Sequence, residues 1–333
     1  MRSWARLDVV HALTALLLLM APFRMGTDGV SDRGTLDAGA TLEEVLSLPW
    51  SSAIRGASGL ARGPDGQLFA ALERAEGLLV FRTAPVLGGS SPPAGLRSLR
   101  TDPPSVERWP IEGVPDLDLE ALALVPTTSG APPRLVFGTE AHRARTEDLL
   151  VFARLEPGRA IVTSTERVDY ASVQVEVESN QGIEALCASG PDLLLFIETP
   201  IEREGHRLAP VLRYRPGRGI LGKYELELST QTGKIADVDC RLAADGSTAV
   251  RAIERHYGVS RIIGLVVPAG PAERPLVPTL LVNLAPRLSR PPPNLEGLTW
   301  DRDGFWLLSD NDPPSTQGLK PTLLFRVHLR PLP

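Results

Sequence analysis

Residues 294–312 have the sequence NLEGLTWDRDGFWLLSDND, and this stretch gives the clearest indication of the fold. Two apolar runs flank the dipeptide Asp303-Gly304, a combination typical of the turn of a β-hairpin. Antiparallel pairing about that turn places Glu296 opposite Asp310 or Asn311, to within about one residue of register. The stretch therefore predicts a hairpin with carboxylates at its open end.

The same hairpin pattern occurs at four earlier places in the chain. These run from Ser58 through Asp65-Gly66 to Glu73, from Leu119 through Gly130 to Glu140, from Ile183 through Gly190-Pro191 to Glu198, and from Ala236 through Asp245-Gly246 to Glu254. The hairpins recur at intervals of about 55 to 65 residues, and such a period indicates a propeller or a repeat array. Two further apolar strands follow each of the first four hairpins, and four strands make up a propeller blade. We therefore predict an all-β chain forming a single β-propeller.

The number of blades depends on how the ring closes. The fifth unit lacks a fourth strand at its C-terminal end, while Glu43–Leu48 is a spare strand before the first hairpin. We expect this N-terminal strand to complete the last blade, because closure removes the exposed sheet edges. This accounting favours five blades. Six is the alternative, if Ser172–Val177 and the Pro-rich connection Thr83–Pro104 contain further strands.

The net charge argues against nucleic acid as a partner, and the first residues indicate an exported protein. The net charge of −5 gives no reason to expect nucleic acid as a partner. Arg2 and Arg6 precede a short apolar segment, Val9–Ala21, which is typical of a secretory signal. We predict a signal peptide or an uncleaved anchor over residues 1–25, a flexible spacer over 26–40 and the propeller over 41–333. The protein would then be periplasmic or secreted, a monomer, and membrane-bound only if the segment is retained.

The two cysteines, Cys187 and Cys240, fall at equivalent places in neighbouring units. We expect both to be small buried apolar residues. A disulfide would suit an exported protein, but equivalent points on adjacent inner strands are expected to lie too far apart for one.

The repeated acids point to a metal site. In a propeller the first strand of each blade lines the central channel, and the start of that strand lies at the same face as the end of the second. The acids expected at this mouth are Glu120, Glu184, Asp237 and Glu296 from first strands, with Glu73, Glu140, Glu198, Glu254 and Asp310 from second strands. Gathered carboxylates need protons, cationic side chains or a metal, and hard oxygen ligands suit Ca²⁺.

Basic side chains follow the second-strand acids. The candidates for binding a substrate anion are Arg143, Arg203 and Arg255 with His142, His206 and His256. Arginine and histidine beside a cation could hold a phosphate or carboxylate group. The chain has no Gly-x-Ser-x-Gly elbow, zinc-ligand spacing or phosphate-binding glycine loop, so those mechanisms are unsupported.

Two of the hairpins, NLEGLTWDRDGFWLLSDND at 294–312 and ADVDCRLAADGSTAVRAIERHYG at 236–258, resemble the phytase-like propeller proteins, also described as having the esterase-like activity of phytase. The resemblance implies an exported propeller with acidic blade motifs and a calcium-dependent phosphoesterase activity. It supports Glu296, Asp310 and Asp312 in the fifth unit, and Asp237, Glu254 and Arg255 in the fourth. Calcium-dependent phytases of this kind have six blades, whereas the spacing here favours five.

Together these observations predict a metal-dependent hydrolase of small phosphate esters, with calcium as the cofactor. The predicted metal ligands are Glu120, Glu140, Glu184, Glu198, Asp237, Glu254, Glu296, Asp310 and Asp312. The alternative is a non-catalytic propeller that binds a ligand or partner at the same mouth and uses a structural metal.

Overall fold

The fold is described from a computed structural model. It describes residues 40–51, 54–73, 77–82, 104–113, 118–126, 133–140, 147–178, 181–256, 259–289, 293–301, 303–311 and 320–329. All of these belong to the compact unit Gly34–Pro333. The predicted signal and spacer up to residue 39 lie outside the described residues. In the described part of the chain, no helix has the length and apolar character needed to cross a membrane.

The described strands fall into five groups of four antiparallel strands, which we call blades. One further short strand pairs within blade 3, and a short parallel pairing between the outer strands of blades 1 and 2 joins these two blades into one eight-stranded sheet. Blade 1 contains β2 (Ala57–Arg62), β3 (Leu68–Leu72), β4 (Gly77–Arg82) and β5 (Ser105–Glu112). Blade 2 contains β6 (Leu119–Val125), β7 (Arg134–Thr139), β8 (Leu149–Glu156) and β9 (Arg159–Arg167). Blade 3 contains β10 (Ile183–Ser189), β11 (Asp192–Ile197), β13 (His206–Arg215) and β14 (Gly219–Glu227), with β12 (Ile201–Arg203) paired to β13. Blade 4 contains β15 (Lys234–Leu242), β16 (Thr248–His256), β17 (Val259–Val267) and β18 (Thr279–Asn283), and blade 5 contains β19 (Asn294–Asp301), β20 (Gly304–Asp310), β21 (Thr322–Leu329) and β1 (Ala40–Leu48).

The N-terminal strand closes the ring as predicted. β1 pairs antiparallel with β21, from Ala40 opposite Leu329 to Leu48 opposite Thr322, so it is the outer strand of blade 5. The inner strands contact one another in the cyclic order β2, β6, β10, β15, β19 and back to β2. The predicted all-β propeller is therefore confirmed. Of the two segments behind the six-blade alternative, Ser172–Val177 is no strand but the end of a 3₁₀ turn, Tyr170–Val173, followed by irregular chain. The other is outside the described residues except for Pro104.

Apolar packing between neighbouring blades holds the ring together. Within the described residues, five buried clusters each join two consecutive blades. Leu122 and Phe137 of blade 2, for example, pack with Phe69 and Leu78 of blade 1. Strands buried on both faces explain the continuous apolar runs that each hairpin shows in the sequence.

Each inner strand carries a β-bulge at the same place. The register with the second strand shifts around Gly59, Glu120, Glu184, Ala236 and Glu296. A bulge leaves one residue unpaired and changes the direction of its side chain, and bulges are common beside active sites. In three of the five blades that residue is a glutamate.

Cys187 and Cys240 form a disulfide, contrary to the expectation from the sequence. Their Cα atoms are 5.6 Å apart, inside the usual range for a disulfide. The expectation was wrong because adjacent inner strands, here β10 and β15, converge on the propeller axis. Equivalent positions are therefore much closer there than at the outer edges of the blades.

Candidate functional site at the acidic mouth

The acidic mouth is the face of the ring where the inner strands begin and the second strands end. In blades 1, 2 and 3 a glutamate follows the second strand: Glu73, Glu140 and Glu198. The backbone N–H of each donates to the backbone carbonyl of the residue just before the inner strand, which is Gly56, Asp118 and Gly182 respectively. In blades 4 and 5 the corresponding pairs are Lys234 with Arg255 and Asn294 with Asp310. The repeated hairpin thus brings one residue from each strand end, and one bulged residue, to the same mouth.

Blade 4 keeps the same register, but its acids lie one residue away from the mouth positions, so two predicted ligands do not belong to the carboxylate clusters described below. The bulge falls at Ala236, so Asp237 and Glu254 are each one place away from the mouth positions. Asp237 is fully buried, and its Oδ2 accepts hydrogen bonds from the backbone N–H groups of Leu60 at 3.0 Å and Leu298 at 2.5 Å. Burial raises the pKa of Asp237 well above its ordinary value. This side chain joins three inner strands and is a structural residue.

Glu254 also has a structural role. It is buried and accepts hydrogen bonds from the backbone N–H of Ser229 at 2.9 Å and from the Ser229 hydroxyl. Because alternate residues of a strand point to opposite faces, the displacement by one place turns Glu254 away from the other acids. Arg255 takes its place at the mouth.

A first carboxylate triad lies between blades 1 and 2. It consists of Glu73, Asp118 and Glu120, all half-buried, and one carboxylate oxygen from each lies within 4.8 Å of the others. The pKa of Glu120 is raised well above its ordinary value, first by burial and then by the charges of Glu73 and Glu184. Asp118 was missed in the sequence, although its place just before the inner strand of DLEAL corresponds to that of Asn294 in NLEGL.

A second carboxylate triad lies between blades 2 and 3. It consists of Glu140, Glu184 and Glu198, again with carboxylate oxygens within 4.8 Å. Lys234 approaches it from blade 4, with its Nζ 2.7 Å from Glu184 Oε1 and 2.8 Å from Glu198 Oε1. Glu140 Oε1 accepts the backbone N–H of Gly182 at 2.9 Å. This triad therefore already contacts a cation.

The pKa values of the second triad are spread apart by these contacts. Burial, with the charges of Glu120 and Glu184, raises the pKa of Glu140 to about 10. Burial and the charge of Glu184 raise the pKa of Glu198 to about 7, against the lowering effect of Lys234. For Glu184 burial acts upward, but Lys234, Glu198 and Arg255 outweigh it, and its pKa is lowered.

Among its described residues, blade 5 contributes an ion pair to the mouth. Glu296 pairs with the guanidinium of Arg255 and accepts a hydrogen bond from Asn294 Nδ2 at 2.8 Å. The same amide nitrogen is 3.4 Å from Asp310 Oδ2. Asp312, the last predicted ligand, lies outside the described residues.

Of the predicted anion-binding residues, Arg255 stands in the mouth. Arg203 forms a two-pronged ion pair with Glu225, and His206 contacts Glu227 at 2.9 Å, so both are bound to the outer strand β14. Both are exposed. His256 follows Arg255, and burial together with the charges of Lys234 and Arg255 lowers its pKa. His142 and Arg143 are outside the described residues.

Comparison with known proteins gives one family. The model of the phytase-like family, described as the esterase-like activity of phytase, matches residues 52–313. A comparison with curated proteins gives no match. Among solved structures, a luciferin-regenerating enzyme is similar with 12% identity and a TM-score of 0.44, over 87% of this chain and 95% of that one. The PQQ-bound aldose sugar dehydrogenase from Streptomyces coelicolor has 10% identity and a TM-score of 0.42, over 87% of this chain and 99% of that one.

The family match covers all five inner strands and both triads. It agrees with the hairpin motifs at 236–258 and 294–312, which lie inside the matched range. The chain therefore belongs to the phytase-like family, and it is a hydrolase-like β-propeller.

Proposed function

We propose that the protein is an exported, calcium-dependent hydrolase of small phosphate esters that acts at the acidic mouth. The observation that carries the proposal is the first triad, Glu73, Asp118 and Glu120, whose carboxylate oxygens lie within 4.8 Å of one another. Opposite ligands of one calcium ion are about 5 Å apart, since each lies at 2.3–2.6 Å from the ion. The spacing of the triad fits a single ion.

The chemistry of the triad also suits calcium. Carboxylates are hard oxygen ligands, and the half-burial of all three residues leaves room for the waters that complete a coordination shell. The raised pKa of Glu120 means that its negative charge is disfavoured by burial and by the neighbouring acids. A bound cation would favour the ionised form of Glu120 and so lower its pKa. When bound, calcium would supply the polarisation of a phosphoryl oxygen.

Among the described candidates, Arg255 is the residue best placed to bind the substrate anion. Its guanidinium stands in the mouth and retains 15% side-chain exposure. Guanidinium groups match the geometry of phosphate oxygens, and a substrate phosphate would share Arg255 with Glu296. We propose that Arg255 orients the phosphate ester while the first triad holds the metal.

Export is supported by the disulfide between Cys187 and Cys240, because disulfides persist in oxidising compartments. We propose a periplasmic or secreted monomer without nucleic-acid partners. Fractionation of expressing cells and size-exclusion chromatography with light scattering test these points. Recovery from the cytoplasm with both thiols free would contradict the export.

A second candidate is a non-catalytic ligand-binding propeller with a structural metal. The observation that favours it is the internal pairing of the mouth, where Lys234 and Arg255 already neutralise Glu184, Glu198 and Glu296. Such a mouth resembles a structural ion-pair network, in which the cationic side chains are already paired with acids in the absence of a ligand.

An assay on the purified full chain separates these two functions. The substrates are p-nitrophenyl phosphate, bis-p-nitrophenyl phosphate and p-nitrophenyl acetate, each with calcium and with chelator. The hydrolase predicts calcium-dependent turnover of a phosphate substrate, and Glu120→Gln should lower it by about 10- to 100-fold, the loss typical of a disturbed metal environment. Glu112→Gln, in the outer strand β5, is the matched control. No calcium-dependent turnover on any substrate would favour the binding propeller.

A further inference from the structure

Lys234 stands out among the residues that open the inner strands. The corresponding positions in the other blades are Gly56, Asp118, Gly182 and Asn294. Lys234 pairs across the hairpin with Arg255, where blades 1, 2, 3 and 5 have Glu73, Glu140, Glu198 and Asp310. Blade 4 alone therefore brings two positive charges to positions that are neutral or acidic elsewhere.

The ammonium group of Lys234 is in contact with the second triad. It lies 2.7 Å from Glu184 and 2.8 Å from Glu198, and its side chain is only 21% exposed. The three carboxylates of this triad have the same spacing as those of the first triad, within 4.8 Å. Two acid clusters of like geometry are thus present, and one of them holds a cation that is covalently part of the chain.

We propose that Lys234 is a tethered cation that occupies the place of a second divalent ion, so that the second triad takes no metal while Lys234 is present. The ammonium supplies a positive charge that calcium concentration does not affect. The second triad and its contact with Arg255 therefore keep their charge balance when calcium is removed. The claim that the mouth holds one ion in total rests on the calcium site proposed above, whereas the role of Lys234 does not.

The test counts calcium ions bound per full-length chain by equilibrium dialysis. Lys234→Gln removes the ammonium and keeps a polar side chain of similar length, and it should raise the count by about one ion, since three carboxylates are then available. Lys234→Arg keeps the charge and should bind as many ions as wild type. Lys223→Gln, in the outer strand β14, is the matched control and should also leave the count unchanged.

The outcomes distinguish the two proposals. If wild type binds no calcium and Lys234→Gln binds one ion, the proposed calcium site of the first triad fails and the role of Lys234 stands. If the folded Lys234→Gln variant binds the same number as wild type, the role of Lys234 is overturned. Should that variant not fold, Lys234→Gln combined with Glu198→Gln decides. Recovery of folding without an extra ion supports the tethered cation, and continued failure to fold overturns it.

Discussion

The two triads of the mouth each consist of three carboxylates at similar spacing, but their environments differ. Glu73, Asp118 and Glu120 lie half-buried between blades 1 and 2, while the second triad is more buried and touches the ammonium of Lys234. Buried carboxylates are costly unless a cation or a proton compensates them. The charge of the second triad is compensated by a cation of the chain itself, Lys234. In our proposal, the charge of the first triad is compensated by a bound calcium ion.

Opening the ring should have the largest effect, because both triads depend on it. Deletion of residues 1–50 removes β1 and exposes an edge of blade 5, whereas deletion of 1–38 leaves β1 intact. We expect the longer deletion to destabilise the whole body and the shorter one to leave its melting temperature unchanged. Circular dichroism melts of the two truncations check this. Equal melting temperatures would refute closure by the N-terminal strand.

Removing the internal cation should act mainly on the second triad, which Lys234 contacts directly. Lys234→Met leaves Glu184 and Glu198 without their ammonium partner, and we expect a loss of about 2 to 3 kcal/mol in the free energy of unfolding, below the full cost for a buried pair because Lys234 keeps 21% exposure. Denaturant unfolding in chelator measures it. Lys223→Met is the control and should change stability by no more than about 0.5 kcal/mol. Similar losses for both variants would contradict the assignment.

A change of pH should disturb the second triad without any substitution. The pKa values of Glu198 and Glu140 are raised to about 7 and about 10, so each contributes stability below its unfolded-state pKa and loses it as pH rises through the folded value. In chelator, we therefore expect the melting temperature to fall between about pH 5 and pH 10. Glu140→Gln should flatten the alkaline part of that fall. A melting temperature that rises over this range would contradict the pKa assignments.

Much of the fold was predictable because the hairpin repeats. The Asp65-Gly66 and Asp245-Gly246 turns, with both glycines at positive φ, and the closing strand before blade 1 follow from local signals and from counting strands. The disulfide did not follow, because the distance between two blades at the axis is a property of the assembled ring and leaves no local trace in the sequence.

The site was predictable only in part, because its residues depend on register. Glu120, Glu184 and Glu198 were identified from the hairpin pattern and do meet in the mouth. Asp237 and Glu254 were aligned with the mouth acids, but the bulge falls at Ala236, so each of the two acids lies one residue away from a mouth position. A displacement of one residue reverses the face of a side chain. Lys234 was overlooked for the same reason, since its place in the mouth emerges only with the pairing to Arg255.

In our proposal the first triad holds calcium and the second does not. The direct measurement is the melting temperature with calcium and with chelator for wild type, Glu120→Gln and Glu198→Gln. At a tenfold excess of calcium over Kd, wild type should gain about 1.4 kcal/mol of stability, since RT ln(1 + [L]/Kd) gives that value. Glu198→Gln should keep this gain and Glu120→Gln should lose it. A wild type whose melting temperature does not respond to calcium, or a Glu120→Gln variant that keeps the whole gain, would rule out calcium binding by the first triad.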